Sequence, residues 1–260
     1  MTDAVLMEKL EDGVCRIVLN QPDSLNTLSD AMVEGLKLAF EQAAADSKVK
    51  VVVLTGAGRA FCAGGDLNII DGSMGLMAAR EYVFKVAELT RLIFHIEKPV
   101  IAAINGFSMG GGLVIALAAD ILIASSAAKF GLAFVNVGLI PDIGGTYLVP
   151  RAIGIQKAKE LVFTGQMIDA YEAERIGMIT KVVEPDKLDE TVNQLASQIA
   201  RGPSIAIGLA KYMLNRNLNR SLDEAIEDEA FAQSICMQTK DHREAVIAFK
   251  EKRKPKFSGA

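Results

Sequence analysis

The chain has 260 residues, half of them apolar, with 22 Gly, 7 Pro and a formal net charge of -4. Such a chain can bury a large core as one large domain, or as a large domain with a small appendage, and its slight acidity excludes the basic footprint of a nucleic-acid binder. Cys15, Cys62 and Cys236 lack metal-ligand spacing and read as reduced, buried thiols, no metal site is expected, and neither a leader before Gly13 nor a membrane-spanning apolar run is evident, so a cytoplasmic location is expected.

In chain order, strand-like runs alternate with helical patterns through about the first two thirds, as in a layered α/β fold, and helical patterns dominate the rest. Val14 to Leu19 alternates like a half-buried strand, and Ser29 is placed to cap an amphipathic helix that runs to about Ala45. Residues 49–54 form an uninterrupted, β-branched run of the kind that buried strands use. Residues 80–96 are periodic at helical spacing, and Met74, Met77, Tyr82 and Phe84 are expected to pack as helical core rather than line a pocket. Pro99 ends that helix and opens a strand over residues 100–105. Residues 112–119 are helical and apolar on every side, which predicts burial, and another strand begins at Asp120. Beyond Gln156 the helices carry capping-box patterns at Ser221 with Glu224 and at Asp241 with Glu244, and Pro203 separates two of them.

Two glycine-rich turns, each closing an apolar strand, concentrate the chemical information. They are Phe61-Cys62-Ala63-Gly64-Gly65-Asp66 and Gly110-Gly111-Gly112. Glycine brings bare N–H groups close to a ligand, and a helix opening after the turn adds unpaired donors, so the pair suggests an oxyanion hole. Taken singly, each cluster would read as a tight strand-to-helix connection. Asp66 fits a helix cap better than a ligand contact.

Three other patterns compete. Gly106-Phe107-Ser108-Met109-Gly110 spells a nucleophile elbow, with Asp142 and His242 following in the chain order of a serine hydrolase. His242, however, lies in a polar helix start, where a surface histidine is expected. Gly56-Ala57-Gly58-Arg59-Ala60-Phe61 approaches a dinucleotide fingerprint but lacks its third glycine. His95, inside an apolar stretch, reads as packed or at a subunit contact.

Taken together, the ordered set Asn20-Gln21-Pro22, Leu25-Asn26, Phe61 to Leu67, Lys98 to Gly106, Gly110-Gly111-Gly112, Phe130-Gly131, Gly144-Gly145-Thr146 and Ala173 to Gly177 resembles the crotonase, or enoyl-CoA hydratase/isomerase, superfamily across the whole chain. The resemblance implies an α/β fold, a crotonase-like spiral of ββα units over residues 1–200, and a C-terminal helical region over 201–260 that assembles homotrimers or dimers of trimers. It places oxyanion donors on the amides of Gly65 and Gly111. Coenzyme A, as part of an acyl-CoA substrate rather than a separate cofactor, is implied along Ala63, Gly64, Gly65, Asp66 and Leu67, with Phe257 of the basic tail reaching it, often from a neighbouring subunit. A solvated basic tail is the equal alternative for that segment.

Both glutamates of the hydratase pattern are missing, since Val114 and Phe134 stand at their positions, and neither can transfer a proton. A carboxylate follows eight residues past Phe134, at Asp142, where the isomerases of the superfamily place their proton shuttle. By spacing alone Asp142 would be a turn former; the resemblance favours a base that shifts the double bond of a 3-enoyl thioester to the 2-position. That role requires a raised pKa, which an apolar wall of Val114, Phe134 and Ile143 would supply. Hydration is the nearest alternative, followed by a serine hydrolase and by an inactive CoA-binding subunit.

Overall fold

The computed structural model describes residues 4–260. Ten strands follow one another as β1 (Val5–Lys9), β2 (Val14–Leu19), β3 (Val51–Gly56), β4 (Ala60–Cys62), β5 (Val100–Ile104), β6 (Phe107–Met109), β7 (Ile121–Ser125), β8 (Lys129–Gly131), β9 (Met167–Asp169) and β10 (Lys181–Val183). They are joined by helices α1 (Asp30–Ala45), α2 (Leu76–His95), α3 (Gly111–Leu117), α4 (Gly145–Ile153), α5 (Ile155–Thr164), α6 (Ala170–Arg175), α7 (Leu188–Ala200), α8 (Ser204–Asn217), α9 (Leu222–Gln238) and α10 (Lys240–Lys250).

Six strands make one sheet in the order β1-β2-β3-β5-β7-β10, parallel except for the edge hairpin of β1 with β2. Strand β3, in the middle, is buried on both faces, as its β-branched run predicts. Its alternate residues feed two cores. Val52 and Leu54 join Ile17, Ala102 and Ile104 under Leu36, Phe40, Leu89 and Ile93 of α1 and α2, while Val51 and Val53 join Ile101 and Ile123 under Leu188, Val192 and Ala196 of α7.

A second sheet, β4-β6-β8-β9, consists of three-residue strands and lies outside what the sequence reading resolved. Three successive long strands each pass directly into a short one: β3 into β4, β5 into β6, β7 into β8. A helix then returns the chain, giving the repeated ββα unit. The passages are so close that only glycine fits: a Cβ on Gly106 would lie 2.1 Å from the Arg59 carbonyl oxygen, and one on Gly56 would lie 2.3 Å from that of Ala60. Two asparagines lace these passages together. Buried Asn26 donates through Nδ2 to the Ala57 and Ala60 carbonyls at 2.9 and 2.8 Å, and Asn105 Nδ2 donates to Gly58 and Ala60 at 2.9 and 3.2 Å.

Ser29 caps α1 through the Met32 amide, and α3 is buried throughout Gly111–Ala116, both as expected. Cys15 and Cys62 are buried, and burial pushes their thiols up to about 11 and about 12. The rear of the molecule is helical. Buried Lys211 of α8 keys it to the sheet, donating from Nζ to Asp120 Oδ2 at 2.8 Å and to the Ile93 and Lys98 carbonyls. The Ser221 and Glu224 capping box forms on α9. The second one does not: Thr239 caps α10, and Asp241 instead accepts from the Ser258 and Gly259 amides, which fold the last residues back over the helix start. Among the described residues no helix is long and apolar enough to cross a membrane.

Candidate active site

The two glycine turns meet because the strands that deliver them are neighbours. Strand β4 pairs in parallel with β6, Cys62 opposite Ser108, so Ala63-Gly64-Gly65 and Gly110-Gly111-Gly112 leave the sheet side by side. A Cβ on Gly64, which has φ +97°, would lie 2.9 Å from the Met109 carbonyl and 3.4 Å from the Gly111 nitrogen. One on Gly111 would lie 4.0 Å from the Gly65 nitrogen. The amides of Gly65 and Gly111 therefore share one small space, and neither has an acceptor among the described residues. Their frame is held by backbone bonds: Leu28 N–H donates to Gly64, Ala63 N–H to Leu25 and Gly110 N–H to Gly131, at 2.8, 3.0 and 2.8 Å. Gly112 serves packing rather than binding, since a Cβ there would overlap the Cys62 carbonyl at 2.3 Å.

Both turns open into a cavity of about 720 Å³. Ala63, Gly64, Gly65, Asp66 and Leu67 form one wall, Tyr82, Val83 and Val86 of α2 a second, and Phe134, Asp142 and Ile143 a third. Met74 lines the cavity, Tyr82 both packs against the core and lines the cavity, and Met77 and Phe84 are exposed, because α2 begins at Leu76 and turns those two outward. Asp66 caps no helix. Its Oδ1 accepts from the Asn68 amide and Nδ2 in a local turn, ten residues ahead of α2. Thr27 and Leu28 also line the cavity. The sequence signal for them was the Leu25-Asn26 pair, whose two left-handed residues swing the segment toward Gly64.

Asp142 stands at the mouth of a strained turn. Its carbonyl accepts from the Gly145 amide at 2.7 Å, and the two residues between, Ile143 and Gly144, have φ +44° and +103°. This is a type I′ turn, which glycine and asparagine normally occupy; a β-branched residue in it stores strain. Buried Ile143 presses its Cδ1 to within 3.4 Å of where a Gly111 Cβ would be, joining the acid's turn to the glycine floor. Val114 is fully buried beneath, its Cγ2 3.0 Å from the Cβ position of Gly145, and Phe134 faces the cavity. Burial in these apolar surroundings raises the carboxyl of Asp142 above its ordinary pKa, opposed only by its own backbone N–H.

Other sequence candidates separate from this site. Ser108 lies inside β6, wholly buried, with its Oγ unpartnered and off the cavity wall, while His242 is exposed on α10, so no nucleophile elbow forms. The Gly56 to Phe61 segment joins strand to strand and opens no helix. His95 is exposed and packs edge-on against Phe94, not inside the core. Phe257 is not brought to the cavity of its own chain. The tail is held at Asp241, and Gly259 lies beside Ser204 and Lys50, just before the first residue of β3, whereas the site follows its last. Arg253 of the basic tail is bound by Glu244 and Glu251. No cluster of potential metal ligands occurs among the described residues.

Comparison with known proteins agrees with this architecture. The model of the family described as enoyl-CoA hydratase/isomerase matches residues 9–260. The chain is 38% identical to 1,2-epoxyphenylacetyl-CoA isomerase of Escherichia coli over 98% of both chains, and 39% identical to short-chain-enoyl-CoA hydratase of Clostridium acetobutylicum over 96% of this chain and 95% of that one. The crystal structure of an enoyl-CoA hydratase from Bacillus anthracis superposes with a TM-score of 0.94 at 36% identity, covering 99% of this chain and 100% of the other. With the ββα spiral, the paired glycine turns and the helical rear in place, the chain belongs to the enoyl-CoA hydratase/isomerase family and has the crotonase fold.

Proposed function

We propose that the protein isomerises a 3-enoyl-CoA to the conjugated 2-enoyl-CoA, with Asp142 as a single proton shuttle. The observation that carries this reading is the arrangement of one raised-pKa carboxyl over paired free amides, with Val114 and Phe134 where the family's hydratases hold glutamates. The thioester oxygen accepts from the amides of Gly65 and Gly111. Asp142 removes a proton from C2, the electron pair spreads over the carbonyl as an enolate, and the same proton returns at C4, leaving the double bond between C2 and C3. Each preorganised amide contributes on the order of 3 kcal/mol to the enolate. A carboxyl lifted by burial is better matched to this work than one at its ordinary pKa. In this reading coenzyme A lies along Ala63 to Leu67, held partly by backbone groups.

The exposed apolar side chains of Leu214, Leu222, Phe231 and Phe249 support assembly of the helical rear into a homotrimer or a dimer of trimers, in which Phe257 reaches a neighbour's CoA. A second reading, hydration, is favoured by the name of the Clostridium relative and would require Asp142 alone to activate water. Asp142→Asn tests the first reading. Isomerisation of 3-enoyl-CoA is expected to fall by roughly 10²- to 10⁴-fold, with binding of a saturated acyl-CoA retained. An unchanged rate removes Asp142 from the mechanism, and rapid hydration of crotonyl-CoA by the native protein replaces isomerisation with hydration.

A further inference from the structure

The cavity wall from α2 contains a polar group that neither the fold nor the proposed proton shuttle uses. Tyr82 lines the cavity, yet its hydroxyl is enclosed and has no hydrogen-bond partner. A phenylalanine would form the same wall without leaving a buried donor unpaired, so the hydroxyl is a standing cost unless a partner arrives. The neighbouring acids do not provide one. Asp30 is held by Lys85 at 2.8 Å, Asp66 is occupied by Asn68, and Asp142 must stay free for the proton. Those carboxylates do act on the phenol at a distance. Burial first, then the charges of Asp30, Asp66 and Asp142, hold its pKa above the ordinary tyrosine value, so it stays protonated and serves as a donor, not as a base.

From this arrangement we infer that Tyr82 is a specificity residue which donates a hydrogen bond to a neutral oxygen carried by the acyl group, a hydroxyl, ether or ketone beyond the reacting carbons. Besides the acids Asp66 and Asp142, the cavity is lined by apolar side chains such as Val83, Val86, Phe134 and Ile143, so a neutral donor discriminates between a chain with an oxygen and one without. An acidic acyl group does not fit, because Asp66 and Asp142 already line the same space. Because the hydroxyl is enclosed in the unliganded chain, the inference requires the Tyr82 side chain to turn toward the acyl oxygen on binding. The inference rests on the cavity being the acyl site, and its test does not rest on the reaction.

The experiment measures binding of non-reacting, saturated acyl-CoA thioesters to the native protein and to Tyr82→Phe. One thioester is a plain chain, and the others replace one methylene by an ether oxygen at successive positions from C4 outward. The native protein is expected to bind one ether isomer about five- to tenfold tighter than the plain chain, and Tyr82→Phe to lose that preference while binding the plain chain as well as before or better. Equal affinity of the native protein for every isomer and the plain chain, or an equal loss for all of them in Tyr82→Phe, overturns the inference. Failure of the proposed isomerisation reads differently: native protein that binds these thioesters with the ether preference but leaves 3-enoyl-CoA unchanged.

Discussion

The glycine floor and the acid's turn face each other across one cavity and are built in opposite ways. The floor is made of backbone. Its amides are fixed by main-chain hydrogen bonds to the segment 25–28 and to Gly131 of β8, and Gly64 tolerates no side chain. The turn that carries Asp142 is made of side chains, with a strained Ile143 at its centre and an apolar surround that sets the acid's pKa. A backbone-built element cannot be varied without moving the sheet, whereas a side-chain-built one changes residue by residue. This difference gives a physical reason why relatives with hydratase and isomerase names share one frame.

Substitutions that exchange these properties sharpen the contrast. The largest effect is expected for Gly64→Ala. Its Cβ would meet the Met109 carbonyl at 2.9 Å in a left-handed conformation, displacing the proposed oxyanion donors and lowering kcat for 3-enoyl-CoA about 10²- to 10³-fold. Activity within threefold of native would mean that the floor is softer than its geometry indicates. On the turn the same kind of loss should come with a gain. The raised folded-state pKa of Asp142 means that its ionisation costs stability, which is fully retained at low pH and lost as pH rises through that pKa. Asp142→Asn, neutral at every pH, is therefore expected to melt above the native protein at pH 7, with the difference closing as pH falls. A lower Tm at pH 7 contradicts this.

The smallest effect is expected for Ile143→Asn, which suits the left-handed backbone and places a polar group beside the acid. It should move the acid limb of kcat/KM to lower pH as the Asp142 pKa returns toward the ordinary carboxylate value. A limb that stays in place would assign the raised pKa to Phe134 and Val114 instead.

The floor was legible in the sequence because two glycine clusters follow apolar strands in succession, where one alone would read as a tight connection. Parallel pairing of β4 with β6 then explains why the two amides meet. Legibility failed where elements are too short for periodicity. Three-residue strands such as Phe107–Met109 carry no alternation, so the second sheet went unread and Ser108 stayed in contention as a rival nucleophile although it lies buried inside a strand. The wall from α2 was misread for another reason. Hydrophobic spacing identified the helix but not where it starts, and its four extra N-terminal residues, 76–79, begin the helix that turns Tyr82 to the cavity and Phe84 to solvent. Asp241 shows a third limit: a capping box four residues long looks the same in sequence whether its acid serves the helix or a distant tail.

The Ala60 carbonyl accepts from both Asn26 and Asn105, which come from segments far apart in the chain. Three stretches of polypeptide are thereby yoked to a single oxygen four residues before Gly64. Local breathing of any one of them must release the others, so slow amide exchange near residues 26, 60 and 105 should disappear in a single cooperative event, with the glycine floor opening as one unit instead of fraying strand by strand.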